Sequence, residues 1–151
     1  MASRILTFAE AIKEGLREEM MRDKKVFLMG EDIHISNWAV TRGLVDEFGK
    51  DRVRLMPIAE NGFSAAAVGA SVAGMRPVVE IMYSDFMLVA SDAICNQAAK
   101  LRYMSGGQFS ASVTYRIAGC GMGGGAGAHH SQSLEAIPLH FPGLKVLYPS
   151  T

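Results

Sequence analysis

Four short segments carry side chains that could do chemistry: Glu31-Asp32, Pro57 to Phe63, Met82 to Phe86, and Gly119 to Gln132. Glu60 opens a stretch dense in small residues, among them Ala65, Ala66, Ala67, Gly69 and Ala70, whose backbone can come close to a neighbour. A carboxylate in that place is either an acid favoured by the positive end of a helix or a buried acid that holds and releases a proton. His130 has the same double reading, as a part-buried, hydrogen-bonded imidazole or as a proton carrier titrating near neutrality. His129 beside it makes no metal pair, because adjacent side chains on a regular element point apart. Met82 and Phe86 are either core side chains or the apolar wall of a ligand pocket.

The run Gly119-Cys120-Gly121-Met122-Gly123-Gly124 formally matches the glycine pattern of dinucleotide sites. Such a site needs a helix opening inside the motif and an acid about 20 positions on. Here glycine continues through Gly125 and Gly127, and the next acid is Glu135. The glycines therefore read as a loop whose backbone approaches a ligand or another chain.

The elements that must hold these segments follow from periodicity. Thr7 and Glu10 form a capping box ahead of Phe8, Ile12, Leu16 and Met20, which predicts a helix from Phe8 to Arg22. Val26 to Met29, closed by Gly30, reads as a strand buried on both faces. A short helix is expected over Thr41 to Phe48, a strand over Val53 to Met56, and a helix over Asn61 to Ala73. The strand Pro77 to Met82, a helix from Leu88 to Met104, the strand Ser112 to Ile117 and a last strand Leu144 to Leu147 complete the pattern. Apolar strands alternating with helices imply an α/β fold of three layers, doubly wound around a mostly parallel sheet. Ligands in such sheets bind beyond the carboxyl ends of the strands, where all four segments fall.

Composition bounds the partners. The 151 residues suffice for one domain, and 15 basic residues balance 15 acidic ones, so nothing points to nucleic acid or an anionic membrane. No stretch reaches the roughly 18 apolar residues of a membrane span. Cys95 and Cys120 have neither CxxC nor metal-ligand spacing, which reads as free thiols in a reducing compartment. The chain is expected in the cytoplasm, or in the mitochondrial matrix if eukaryotic.

Taken together, Gly30-Glu31-Asp32-Ile33, Pro57-Ile58-Ala59-Glu60-Asn61-Gly62-Phe63, Gly74 to Glu80, Tyr103-Met104-Ser105-Gly106-Gly107, His130-Ser131-Gln132-Ser133 and Phe141 to Val146 resemble one family. It is the beta subunit of the decarboxylating components of 2-oxo acid dehydrogenases, including the pyruvate, branched-chain and acetoin enzymes, through its pyrimidine-binding domain. The resemblance implies thiamine diphosphate as cofactor, with magnesium held by an alpha subunit. It implies that Glu60 hydrogen-bonds the aminopyrimidine, that Phe86 stacks on it, that Met82 and Glu31 lie beside it, and that His130 handles protons around the 2-oxo acid or the acyl transfer. The implied partners are the alpha subunit, a second beta subunit and a lipoyl-bearing acyltransferase.

Departures from the family pattern are specific. Ala59 stands where Ser or Thr is usual, and Val89 where pyruvate-type members often carry a polar residue. The family's second, C-terminal domain is not represented in residues 1–151, and neither is the Gly-Asp-Gly diphosphate signature of alpha subunits. Two other readings compete: a transketolase-like or deoxyxylulose phosphate synthase-like pyrimidine domain, and a non-catalytic assembly module. His130-Ser131-Gln132 and Tyr103 to Gly107 favour the dehydrogenases over the first.

Overall fold

A computed structural model describes residues 4–119 and 126–149. The first helix, α1 (Phe8–Arg22), starts where its capping box puts it: the Thr7 hydroxyl accepts from the Glu10 N–H at 3.3 Å, and the Glu10 carboxylate accepts from the Thr7 N–H at 2.8 Å. A box of this kind satisfies two otherwise unpaired donors and is worth about 1 kcal/mol. Met20 is its buried residue, which sets the face that turns inward.

Four strands follow: β1 (Val26–Gly30), β2 (Val53–Leu55), β3 (Arg76–Ile81) and β4 (Thr114–Ile117). They pair in the order β2-β1-β3-β4, and every pair is parallel. All five residues of β1 are buried, as a central strand covered on both faces requires. Its alternate residues feed two cores. Phe27 and Met29 join Phe63, Val79, Ile81 and Ile94 on one face, while Val26 and Leu28 join Met20, Leu44 and Val53 on the other. The expected three layers are present, with α1 and α2 (Leu44–Phe48) on the second face and α3 (Glu60–Val72) on the first. Between β3 and β4, the buried Glu80 and part-buried Arg116 side chains form an ion pair at 2.7 Å, at positions directly in register.

Three expected elements differ. The helix predicted from Thr41 begins only at Leu44, because the Thr41 hydroxyl is spent donating to the Ile33 carbonyl at 2.7 Å and Gly43 enters at φ 79°. The helix predicted over Leu88 to Met104 is not a uniform α-helix. It is a 3₁₀ turn (Ser84–Leu88), then a π-helical stretch (Asp92–Ala98) that runs into α4 (Ala99–Met104). The Asp92 carboxylate accepts from both Asn96 and Gln97, at 2.9 and 3.2 Å, four and five residues on, which suits the wider π winding.

The strand predicted over Leu144 to Leu147 does not form among the described residues. Leu144 packs against the core while Leu147 is 88% exposed. An alternating apolar run becomes a strand only where a sheet edge offers ladder partners, and here this segment makes no ladder. A short helix, α5 (Ala136–Leu139), precedes it. No helix among the described residues is long and apolar enough to cross a membrane.

Candidate active site

The sheet order reverses at β1, which sends the chain first to β2 on one side and then to β3 on the other. A crevice opens at such a switch point, beyond the carboxyl ends of the strands. Glu31 follows β1 directly, Glu60 begins α3 after β2, and Met82 follows β3. Both carboxylates are buried, Glu31 at 8% exposure and Glu60 at 5%.

Nothing but backbone caps α3, since Ala59 has no side-chain acceptor to offer. The hydroxyl of Tyr115 on β4 donates to the Ser64 carbonyl at 3.2 Å and ties the first turn of the helix to the sheet. Burial holds that phenol protonated well above its ordinary range. Phe63 and Phe86 meet in the same cluster, so the start of α3 and the 3₁₀ turn share one edge.

Glu60 acts on Glu31. Burial pushes the Glu31 carboxyl up to about 7, and the neighbouring Glu60 charge with a hydrogen bond between the two side chains pushes the same way, against an opposing bond from the Ala59 N–H. Glu31 Oε1 is buried without a hydrogen-bond partner. A carboxyl pair of this kind keeps one proton that exposed acids would release.

The sign for stability follows from linkage. The folded value of Glu31 lies above its ordinary 4.5, so the native state keeps a proton that the unfolded chain has lost. This contribution is fully present below about 4.5 and disappears as pH rises through about 7. Urea unfolding across that window is expected to show wild type losing stability relative to Glu31→Gln as pH rises. A difference between the two that stays flat from about pH 4.5 to about pH 8 would show that Glu31 titrates as an ordinary carboxylate.

The loop after β1 is held in an unusual shape. Asp32, Ser36 and Ala39 take positive φ values of 46°, 58° and 62°, which non-glycine residues adopt only where their surroundings enforce it. The Ser36 hydroxyl accepts from the Thr41 N–H at 2.9 Å, and both side chains are fully buried. The loop thereby presents Trp38, whose indole N–H donates to the Met82 carbonyl at 2.9 Å, and Asn37, whose amide reaches the Met82 sulphur at 3.5 Å.

Met82 and Phe86 are both part-buried at this edge. Phe86 lies edge-on to His130 with ring centroids 5.0 Å apart, and Tyr83 lies edge-on to His130 at 4.7 Å, to Phe86 at 5.6 Å and to Trp38 at 5.4 Å. The result is one wall of four rings. Gly119 closes against it, since a Cβ there would lie 2.8 Å from the Tyr83 ring and 3.2 Å from the indole.

The structure thus brings Glu60 together with Glu31, and His130 together with Phe86 on the turn that follows Met82. Residues 120–125, with Cys120 and most of the glycine run, lie outside the described residues; Cys95 is a buried free thiol. Trp38, Tyr83, Asp85 and Gln132 were not singled out from sequence. Asp85 and Gln132 fall inside the segments Met82 to Phe86 and His130-Ser131-Gln132, which was the available signal. Burial alone would raise the Asp85 carboxyl, but the side chain and N–H of Gln132, its own N–H and the nearby His130 charge outweigh burial and hold it below its ordinary range.

A parallel sheet with helices on both faces and a buried acid pair at its switch point defines the class: a doubly wound α/β domain with its candidate site at the carboxyl edge of the strands. The family model of the transketolase pyrimidine-binding domain matches residues 5–151, and the chain belongs to that family. It is 46% identical over 149 residues to the pyruvate dehydrogenase E1 component subunit beta of Rickettsia felis, covering 95% of this chain and 44% of the relative. Against the mitochondrial pyruvate dehydrogenase E1 component subunit beta-2 of Oryza sativa it is 45% identical, covering 98% and 40%. Against the 2-oxoisovalerate dehydrogenase subunit beta of Bacillus subtilis the values are 39%, 97% and 45%. The chain therefore spans less than half the length of these curated relatives. A solved split-gene transketolase, an inactive beta4 tetramer, superposes with a TM-score of 0.64 at 24% identity, covering 88% of this chain and 39% of that one, which supports the fold.

Proposed function

We propose that this chain is the pyrimidine-binding half of a thiamine diphosphate-dependent 2-oxo acid dehydrogenase of the beta-subunit type, and that Glu60 is its catalytic acid. One observation carries the reading most directly. A carboxyl at 5% exposure, coupled to a second buried carboxyl, sits at the switch point of the sheet. The relatives favour the dehydrogenase reading over transketolase chemistry, since they are named as pyruvate and 2-oxoisovalerate dehydrogenase subunits.

The residues present fit an aminopyrimidine. Such a ring offers nitrogen donors and acceptors along one edge and flat faces above and below. Glu60 supplies a carboxyl for the edge, the unpartnered Glu31 Oε1 is a second polar atom of the same pair, and Phe86 with Met82 supplies apolar surface. When bound, thiamine diphosphate provides a carbon nucleophile and an electron sink. Glu60 presents its buried carboxyl to the ring edge in a water-poor site, where placement matters more than in bulk solvent. Glu31, its carboxyl held protonated more strongly than usual by burial and by Glu60 together, lies beside it, and His130 exchanges protons with substrate at the aromatic wall.

Diphosphate and magnesium fall to an alpha subunit in this reading, which the naming of the relatives as beta subunits supports. A second beta subunit and a lipoyl-bearing acyltransferase complete the set of partners, and the compartment is the bacterial cytoplasm or the mitochondrial matrix. Residues 1–151 form one domain of this assembly. Calorimetric titration with thiamine diphosphate and magnesium tests the division of labour. Weak binding by this chain alone and binding at least about a hundredfold tighter with an alpha subunit are expected, a difference of roughly 2.7 kcal/mol. Tight magnesium-dependent binding by this chain alone would refute it.

A further inference from the structure

His130 belongs to a segment with little structure of its own. Residues 126–134 contain no helix or strand, and the His130 N–H donates to the Gly127 carbonyl at 3.2 Å. Yet its ring sits edge-on between two others, at 83° to Tyr83 and 82° to Phe86. Something outside the segment must place it.

That anchor is the 3₁₀ turn at the end of β3. The Ser84 hydroxyl donates to the Gln132 carbonyl. Asp85 Oδ1 accepts from Gln132 Nε2 at 2.6 Å, and Asp85 Oδ2 accepts from the Gln132 N–H at 3.4 Å. Asp85 is 6% exposed, while Gln132 is at the surface, so the buried partner is the fixed one. Both bonds to Asp85 end on an ionised carboxylate, which makes them roughly twice as strong as neutral ones. The same turn carries Phe86 one residue on, so a single element sets both the ring and the imidazole that faces it.

We propose that Asp85 and Gln132 form a clamp that positions His130 against Phe86 and Tyr83, acting through the imidazole without touching substrate. This rests on the reading of His130 as the group that exchanges protons at the site. The two clamp residues are positioning residues, and the chemistry of their bonds allows a reversal. In Gln132→Glu at about pH 8 two carboxylates face each other and the clamp opens. In the double variant Asp85→Asn with Gln132→Glu the polarity is exchanged: the oxygen of the introduced amide accepts from the backbone N–H of residue 132, and its nitrogen donates to the new carboxylate.

Hydrogen exchange followed by mass spectrometry on this chain reads the clamp directly. In Gln132→Glu, amides of residues 128–134 are expected to exchange about tenfold faster or more, with α1 unchanged, and the double variant is expected to return them to within about threefold of wild type. In enzyme reconstituted with an alpha subunit, Gln132→Glu should lower kcat with little change in KM, and the double variant should restore it. Unchanged exchange in Gln132→Glu, or no recovery in the double variant, overturns the clamp. Faster loop exchange with kcat at the wild-type level overturns its role in positioning. If wild type itself shows no activity on 2-oxo acids, the reading of the whole site fails, and exchange still decides the clamp.

Discussion

Glu60→Gln is expected to lower turnover of the reconstituted enzyme by about a hundredfold to ten-thousandfold, the range for loss of one positioned acid, or roughly 3 to 5 kcal/mol of barrier. The amide keeps the size and planar shape of the carboxyl, so the start of α3, held by Phe63 in the core and by the Tyr115 bond to Ser64, should not move. It also removes the charge that disfavours ionisation of Glu31, which relieves a cost to the native state instead of adding one. Circular dichroism should therefore match wild type and urea unfolding should show stability at least as high, while activity collapses. The decisive measurement is proton exchange at the reactive carbon of the cofactor in the reconstituted complex. Near-normal exchange in Glu60→Gln would mean that the acid at the centre of the site is only structural.

Gly143→Ala should be the most damaging small substitution for stability. Gly143 takes φ 101°, and a Cβ there would lie 2.0 Å from the Ala99 carbonyl oxygen and 3.0 Å from its carbonyl carbon. Both are backbone atoms at the start of α4, so no side chain can swing aside. The turn would have to lift off the helix, taking Phe141 and Leu144 away from the core they pack against. It would also separate the Phe141 ring from the Lys100 ammonium, 5.6 Å from its centroid.

Overpacking costs typically about 1–3 kcal/mol, and an L side chain in this backbone region costs about 1–2 more. A loss of about 3 kcal/mol or more is expected, which in a chain of this size lowers Tm by roughly 6–12 °C. Gly49→Ala is the control, because its φ is also positive, at 79°, but a Cβ there meets nothing within 4 Å. Gly49→Ala should cost only about 1–2 kcal/mol. Equal losses in the two variants would show that the contact with Ala99 carries no weight.

What could be read along the chain is what neighbours in the chain decide. The Thr7–Glu10 box and the buried run Val26–Gly30 are local, and they set the boundaries of α1 and β1 before any packing occurs. Glu60 was legible for a related reason: the end of one element and the start of the next put it at the carboxyl edge of the sheet, and its motif carried the family resemblance. Tertiary structure decided the rest. The raised proton affinity of Glu31 belongs to a pair that only the folded sheet brings together, and a pKa depends on that neighbour and on burial. Asp85 and Gln132 are 47 positions apart in the chain, and neither residue type announces a partner. The π-helical stretch and the missing strand at Leu144 to Leu147 have the same origin. Helical winding answers to side-chain bonds such as those of Asp92, and a strand exists only beside an edge that accepts its hydrogen bonds. Periodicity records which face is apolar, and the fold alone decides what that face meets.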